Sequence, residues 1–125
     1  MKKSGYKYQI ELEIKKHDWE IGSIDTSGEW WDDENWKVEY KYDTQVFFYL
    51  NFIVDPQFEK SRKKGQGIYE IKASSEFPTN WNDDSNKISS ISMTKRKFEL
   101  KLGEFIDELE RYKKEKTTDN KTYKQ

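Results

Sequence analysis

The run QVFFYLNFIV, residues 45–54, is the strongest indication of the fold because it is apolar at both even and odd positions. The even positions carry Val46, Phe48, Leu50, Phe52 and Val54, and the odd positions carry Phe47, Tyr49 and Ile53. A strand with apolar side chains on both faces is typical of the middle of a sheet. We therefore predict a central strand here, ended by Asp55-Pro56 because proline donates no backbone hydrogen bond.

Alternating segments predict further strands on both sides of this run. On its N-terminal side, apolar and polar residues alternate over 6–15 and again over 36–43. On its C-terminal side, GIYEIKAS (67–74) and KISSISM (87–93) are also typical of short strands. The stretches between the strands are predicted to be connections, at 20–35, 58–67 and 76–86.

The period of the apolar residues changes after Thr94. They then recur every three or four residues, which is the spacing of one helix face: Phe98, Leu102, Phe105, Leu109 and Tyr112. We predict a helix over about 95–116, with Thr94 as its N-cap and its apolar stripe facing the sheet. Residues 117–125 are predicted to be a frayed tail.

This order, strands first and one long helix last, predicts an α+β fold. We expect one domain over residues 1–116, an antiparallel sheet of about five strands with one long C-terminal helix packed on one face. One helix covers one face only, so Phe47, Tyr49 and Ile53 need a second cover. The aromatic loops, strand curvature or a second copy of the chain in a homodimer could supply it.

Composition excludes several classes of function. The formal net charge of −1 offers no general attraction to nucleic acid or to an anionic membrane. The absence of cysteine excludes disulfides, thiolate chemistry and cysteine-based zinc sites. The start, MKKSGYKYQIELEIKK, has no apolar stretch like a signal-peptide core, and no later run approaches a membrane span. We therefore expect a cytoplasmic protein.

The chain carries no recognisable catalytic motif. His17 is the only histidine, and its neighbour Asp18 would point to the opposite face of a strand. Neither DDEN nor NDDSN has the spacing of a calcium loop, and KGQG (64–67) lacks the phosphate-binding pattern. We predict no enzyme activity, no metal and no cofactor. We interpret the basic cluster Lys60, Arg62, Lys63 and Lys64 first as a solvated turn and second as a contact for an acidic partner.

Two similar segments stand out, GEWWDDEN (28–35) and PTNWNDDSN (78–86), since both place tryptophan shortly before paired aspartates. We predict that they form an acidic, aromatic surface for a basic protein partner, with these contact residues: Glu29, Trp30, Trp31, Asp32, Asp33, Glu34, Trp81, Asp83 and Asp84. At least one of Trp30 and Trp31 should be partly exposed. In the alternative interpretation, the tryptophans pack over the sheet and the aspartates cap turns.

These features resemble the small immunity proteins of bacterial toxin systems, including those paired with contact-dependent and other polymorphic toxins. The resemblance rests on a compact, cysteine-free α+β domain and on the acidic aromatic segment GEWWDDENW (28–36). It implies that the protein binds a toxin domain, often a basic nuclease, and blocks its active site. A phage-encoded inhibitor of a host defence nuclease, a carbohydrate-binding module and an enzyme that uses the carboxylates remain as alternatives.

Overall fold

The computed structural model describes residues 5–55, 68–93 and 97–124, with side chains through residue 117. Its described part contains two helices and five strands, in the chain order α1 (Tyr6–Lys16), β1 (Trp19–Asp25), β2 (Asp32–Tyr40), β3 (Asp43–Val54), β4 (Ile68–Ser74), β5 (Lys87–Ser92) and α2 (Phe98–Lys124). The strands form one antiparallel sheet in the order β1-β2-β3-β4-β5. The predicted α+β class is confirmed.

Strand β3 lies at the centre of the sheet, as predicted, between β2 and β4. Its alternate residues Phe48, Leu50 and Phe52 are fully buried in the main core. On β4, Ile71 and Ala73 pair with Phe52 and Leu50 and continue the same apolar face. The predicted strands over 67–74 and 87–93 are confirmed as β4 and β5 within the described residues, which do not include Gly67, and residues 76–86 connect them without forming a strand.

Helix α2 packs on this face with the predicted stripe. Leu102, Phe105 and Leu109 are buried, with Leu109 fully so. The helix begins at Phe98 and its backbone continues to Lys124, beyond the predicted end at residue 116. The proposed N-cap Thr94 and the basic segment 58–67, including Lys60, Arg62, Lys63 and Lys64, lie outside the described residues. The division into a domain and a frayed tail stays a prediction.

The prediction of a strand over residues 6–15 is wrong, because this segment forms helix α1. Ile10 and Ile14 are fully buried, whereas Tyr8 and Leu12 are 37% and 42% exposed. An alternating pattern and a helical pattern share every fourth position, so the buried pair fits both periods. In a strand, every second residue of this segment would face the core. Here only every fourth residue does, which is the spacing of a helix.

The prediction of a long connection over residues 20–35 is also wrong. Strand β1 occupies Trp19–Asp25, and β2 begins at Asp32. Strand β1 is an edge strand whose pairing with β2 is irregular between Ile21 and Ser23, and only Trp19 in it is buried. An edge strand with a bulge does not need the apolar alternation by which strands are recognised in a sequence.

Candidate functional site

The face of the sheet opposite α1 and α2, here called the far face, carries the second set of β3 side chains. These are Phe47, Tyr49, Asn51 and Ile53, which alternate with the core residues of the same strand. The helices contribute to the main core on the other side, through residues such as Ile14 and Leu109. Any cover of the far face by described residues therefore comes from the connections between strands.

The first tryptophan-containing segment meets the connection 75–86, which contains the second, on this far face. The Val54 backbone N–H donates to the Trp31 carbonyl at 2.8 Å, which places Trp31 beside the end of β3. The Trp31 ring lies 6.5 Å from the ring of Phe77, which belongs to the connection 75–86. Ile53 is fully buried and Trp31 is only 3% exposed. The chain thus covers Ile53 by itself at this end of the far face, and an aromatic loop supplies the cover, as one of the predicted alternatives required.

The aspartates that follow Trp31 are buried. Asp32 is 1% exposed and accepts hydrogen bonds from the side-chain amides of Asn35, at 2.8 Å, and Asn51, at 3.1 Å. Asp33 is also 1% exposed and pairs with Lys7 of α1 at 3.1 Å. Buried carboxylates require such partners because they have lost their hydration. This pairing fixes the start of β2 from within the domain.

Lys7 ties helix α1 to this acidic strand end. Its ammonium group also contacts Glu34 at 2.6 Å, and Glu34 in turn accepts the Trp36 indole N–H at 2.6 Å. Burial alone would lower the pKa of Lys7, but the hydrogen bonds with Glu34 and Asp33 outweigh it and the pKa is raised. Trp36 is itself buried, as its parity with Val38 predicted.

The predicted recognition surface is therefore smaller than the sequence suggested. Trp31, Asp32 and Asp33 lie inside the folded domain, and Asp32, Asp33 and Glu34 belong to strand β2 rather than to a loop. Glu29 is exposed, while Trp30, Glu34 and Trp81 are partly buried. Asp84 retains a side chain that is 57% exposed. These exposed and half-buried members are the ones that a partner can reach.

The connection 75–86 is held in one conformation by Asp83. Its carboxylate accepts from the backbone N–H and the hydroxyl of Thr79, at 2.8 and 3.0 Å. It also accepts from the backbone N–H and the hydroxyl of Ser85, at 3.0 and 2.5 Å. These hydrogen bonds to the charged form hold the pKa of Asp83 well below its ordinary value. Asp83 thus caps turns, as the alternative interpretation of the aspartates predicted.

A buried lysine anchors the same connection from beneath. Lys72 on β4 is fully buried, and its Nζ donates to the Trp81 and Asp83 carbonyls at 3.2 and 3.0 Å. It also pairs with Asp84 Oδ1 at 2.7 Å, and this hydrogen bond lowers the pKa of Asp84. Sequence reasoning missed Lys72 because a lysine that alternates with Ile71 and Ala73 is typical of a solvent-facing position.

An aromatic row, formed by Phe77, Tyr49 and Phe47, crosses the remaining part of the far face. The Phe77 and Tyr49 ring centroids are 5.6 Å apart, and those of Tyr49 and Phe47 are 5.7 Å apart. Phe77 is 44% exposed, and the other two rings are half-buried. The Lys37 ammonium lies 4.6 Å from the centre of the Phe47 ring, so a cation already occupies one ring face.

Carboxylates lie at the Phe47 end of this row. Glu20 on β1 is directly opposite Glu39 on β2, and Glu39 is opposite Phe47 on β3. The Glu39 side chain leans over Gly22, where a Cβ atom would come within 3.0 Å of its Oε1. Like charges at directly opposite positions of an antiparallel pair destabilise a sheet. Glu39 also pairs with Lys37 at 4.0 Å. We therefore expect the two glutamates to lower the stability of the free protein only slightly while leaving this end with a net negative charge.

The described residues give no sign of a metal site, since none of their His, Asp and Glu side chains form a group of three or more that could hold an ion. No helix in the described part of the chain is long and apolar enough to span a membrane.

Comparisons with protein-family models, curated proteins and solved structures find no match. The fold and site define an α+β domain with one helix-covered sheet face and one aromatic face.

Lowering the pH should release the connection 75–86. The folded-state pKa values of Asp83 and Asp84 lie below the ordinary value of about 3.9. Above that pH both carboxylates are charged, and their contribution to the stability of the connection is complete. It is lost as the pH falls through the lower folded-state values. We expect the NMR resonance of the Trp81 indole N–H to hold its position down to pH ~4 and to shift below it.

Two variants control this experiment. Asp84→Asn removes one ionic partner of Lys72 and should move the Trp81 resonance at neutral pH. Asp107→Asn makes the same charge change at an exposed position of α2 and should leave it in place. A Trp81 resonance that does not move until the whole domain unfolds in acid would contradict this account of the connection.

Proposed function

We propose that this protein is a protein-binding inhibitor, an immunity protein that binds a cognate bacterial toxin and neutralises it through the far face of its sheet. The observation that carries the proposal is the aromatic row, whose rings remain partly exposed although Ile53 and Trp31 on the same face are buried. Its outer ring, Phe77, is 44% exposed and belongs to a connection anchored by the buried Lys72. The inhibitor needs no catalytic group of its own.

The rigid presentation of the row supports a role in binding. Aromatic side chains are frequent hot spots in protein interfaces, and a preorganised surface loses less conformational entropy when it binds. Lys72 and Asp83 together fix the backbone on both sides of Trp81. The connection therefore holds Phe77 and Trp81 in place before any partner arrives.

The charges around the row favour a basic partner. Glu20 and Glu39 lie at one end, and the exposed Glu76 precedes Phe77 at the other. Carboxylates at the edge of an interface steer a basic protein towards it and raise the association rate at low salt. The position of Lys37 over Phe47 shows how a lysine or arginine of the partner can stack on these rings.

The alternative of a carbohydrate-binding module is less well supported. Stacking of sugars along a row of aromatic side chains needs rings that share one plane. Here consecutive rings are inclined at 73° for the Tyr49–Phe77 pair and 79° for the Phe47–Tyr49 pair. Such edge-to-face contacts fit side chains packed for an uneven protein surface.

An enzyme that uses the carboxylates of the two segments is also less well supported. A general acid at neutral pH needs a raised pKa. The two aspartates of the second segment, Asp83 and Asp84, have lowered pKa values and are engaged with Ser85, Thr79 and Lys72. An inhibitor of a defence nuclease would use the same acidic aromatic surface, so the identity of the partner separates it from an immunity protein.

The decisive experiment is purification of the protein together with the product of the adjacent reading frame, followed by binding measurements on variants. We expect Phe77→Ala to weaken the complex by about 2 kcal/mol, mainly through faster dissociation, because it removes the exposed end of the aromatic row. Glu20→Gln should slow association at low salt and stabilise the free protein by about 0.2–1 kcal/mol, since it relieves the repulsion from Glu39.

The matched control is Asp107→Asn, which removes one negative charge on the opposite side of the sheet. It should leave the association rate nearly unchanged. The proposal fails if the neighbouring gene product does not bind, or if it binds equally well to Phe77→Ala and wild-type protein. A Glu20→Gln variant that is more stable and yet binds more slowly would show that the like-charge pair is kept for recognition.

A further inference from the structure

Lys37 lies on the far face, in the strand next to the aromatic row. It is directly opposite Tyr49, whereas Glu39 is opposite Phe47. The Lys37 side chain extends diagonally, because its ammonium lies 4.6 Å from the centre of the Phe47 ring. The same ammonium is 4.0 Å from the Glu39 carboxylate. One cation of the protein thus occupies both the ring face and the carboxylate at this end of the row.

The Glu39 carboxylate has a defined place above strand β1. Gly22 lies where the pairing of β1 with β2 is irregular, and a Cβ atom on it would come within 3.0 Å of Glu39 Oε1. Among the described glycines only Gly5 has a positive φ angle, so the backbone at Gly22 does not itself require glycine. The glycine instead leaves room for this carboxylate, as glycines in strands do where another group approaches closely.

The contacts of Lys37 hold it only loosely. Its side chain is 38% exposed, and its distance of 4.0 Å from the Glu39 carboxylate is too long for a hydrogen bond. An exposed ion pair and an exposed cation over an aromatic ring each contribute little to stability. Lys72 shows the contrast, since it is fully buried and lies 2.7 Å from its carboxylate partner Asp84. Displacement of the Lys37 ammonium therefore costs the free protein little.

An arginine side chain suits this place better than the lysine that fills it. A guanidinium group stacks flat on an aromatic ring and can also donate two parallel hydrogen bonds to a carboxylate. An ammonium group is a point charge and cannot make this paired contact. Glu20 lies directly opposite Glu39 and adds a second carboxylate on the same face. The carboxylates thus outnumber the one ammonium, and the charge favours a further cation.

We propose that Lys37 is an internal competitor of the partner, and that an arginine of the partner displaces it from Phe47 and Glu39. This inference deepens the proposed function and rests on the aromatic row being the binding surface. Before binding, Lys37 shields the ring and offsets the charge of Glu39. A partner that offers only lysine exchanges one ammonium for another and gains little. Lys37 thereby makes this end of the row selective for a guanidinium group.

The displacement can be followed by NMR in the wild-type protein. In the free protein the Phe47 ring should shift the side-chain methylene resonances of Lys37, and Phe47→Leu should remove this shift. A short arginine peptide should move these resonances in the same direction as Phe47→Leu does, because the guanidinium takes the place of the ammonium over the ring. A lysine peptide of equal length is the control, and it should leave the resonances nearly unchanged.

Lys37→Gln should bind the arginine peptide about threefold more tightly than the wild type does, since the ring and the carboxylate are then unoccupied. Lys41→Gln is the matched control. It removes the same charge from the adjoining turn, where the Lys41 ammonium lies 5.6 Å from the centre of the Tyr42 ring, and it should raise the affinity by a smaller factor. The proposal is wrong if the arginine peptide leaves the Lys37 resonances in place, or if the two variants bind it equally well.

The product of the adjacent reading frame separates this inference from the proposed function. If that protein binds but leaves the Lys37 resonances in place, the displacement is wrong and the proposed function stands. If it does not bind, the proposed function is wrong, and the displacement of Lys37 by a partner falls with it. Binding together with movement of the Lys37 resonances supports both.

Discussion

Trp31→Ala should lower the free energy of unfolding by about 3–5 kcal/mol, because truncation of a buried tryptophan leaves a large cavity. The side chain is only 3% exposed and packs against Phe77, while its backbone carbonyl accepts from Val54. Loss of the ring would also uncover the part of the far face around Ile53. Chemical denaturation of the purified variant, followed by circular dichroism, measures the effect.

Phe77→Ala is the matched comparison, because Phe77 touches Trp31 but is 44% exposed. We expect it to lower the free energy of unfolding by about 1 kcal/mol, within the range of ordinary substitutions. If Trp31→Ala proves as mild as Phe77→Ala, Trp31 is not part of the core. That result would instead support the sequence-based expectation that Trp31 is an exposed anchor for a partner.

Leu109→Ala should lower the free energy of unfolding by about 2–5 kcal/mol, as is usual for large-to-small changes in a core. Leu109 is fully buried, and it lies in the same cluster as Phe48 and Phe105. The residue belongs to the stripe by which α2 holds the sheet. Its loss should therefore lower the stability of the whole domain. Every spectroscopic probe should report the same reduced melting temperature.

Lys101→Ala controls for the helix itself, since it changes α2 away from the buried stripe. It should alter the free energy of unfolding by no more than about 0.5 kcal/mol. Equal stability of Leu109→Ala and the wild type would contradict the packing of α2 on the sheet. A large effect of Lys101→Ala would show that the helix contributes through its other face.

The elements that could be predicted from the sequence are those with an unambiguous period. Strand β3 is apolar or aromatic at every position after Gln45 except Asn51, and α2 repeats its apolar residues every three or four positions. Such patterns indicate directly how many faces of a helix or strand are buried. The same reasoning placed Trp36 in the core, because it shares the parity of Val38.

The candidate site could be predicted only in part. The first tryptophan segment does contact the connection that contains the second, but the sequence does not show that Trp31 turns inwards while Phe77 stays exposed. The aromatic row combines Phe77 with Tyr49 and Phe47 from another strand, so its members are far apart in the chain. Contacts of this kind depend on strand order and register, which no local pattern contains.

Local sequence patterns are enough to predict the α+β class, the central strand and the helix stripe, because the period of buried residues follows from backbone geometry. The helix over residues 6–16 follows instead from packing between distant segments, since Ile10 and Ile14 satisfy both periods until the core selects one. Packing also accounts for the burial of Lys72 and for the pairing of Asp32 and Asp33 inside the domain. A charged side chain takes its role from the partners that surround it, and those partners come from distant parts of the chain.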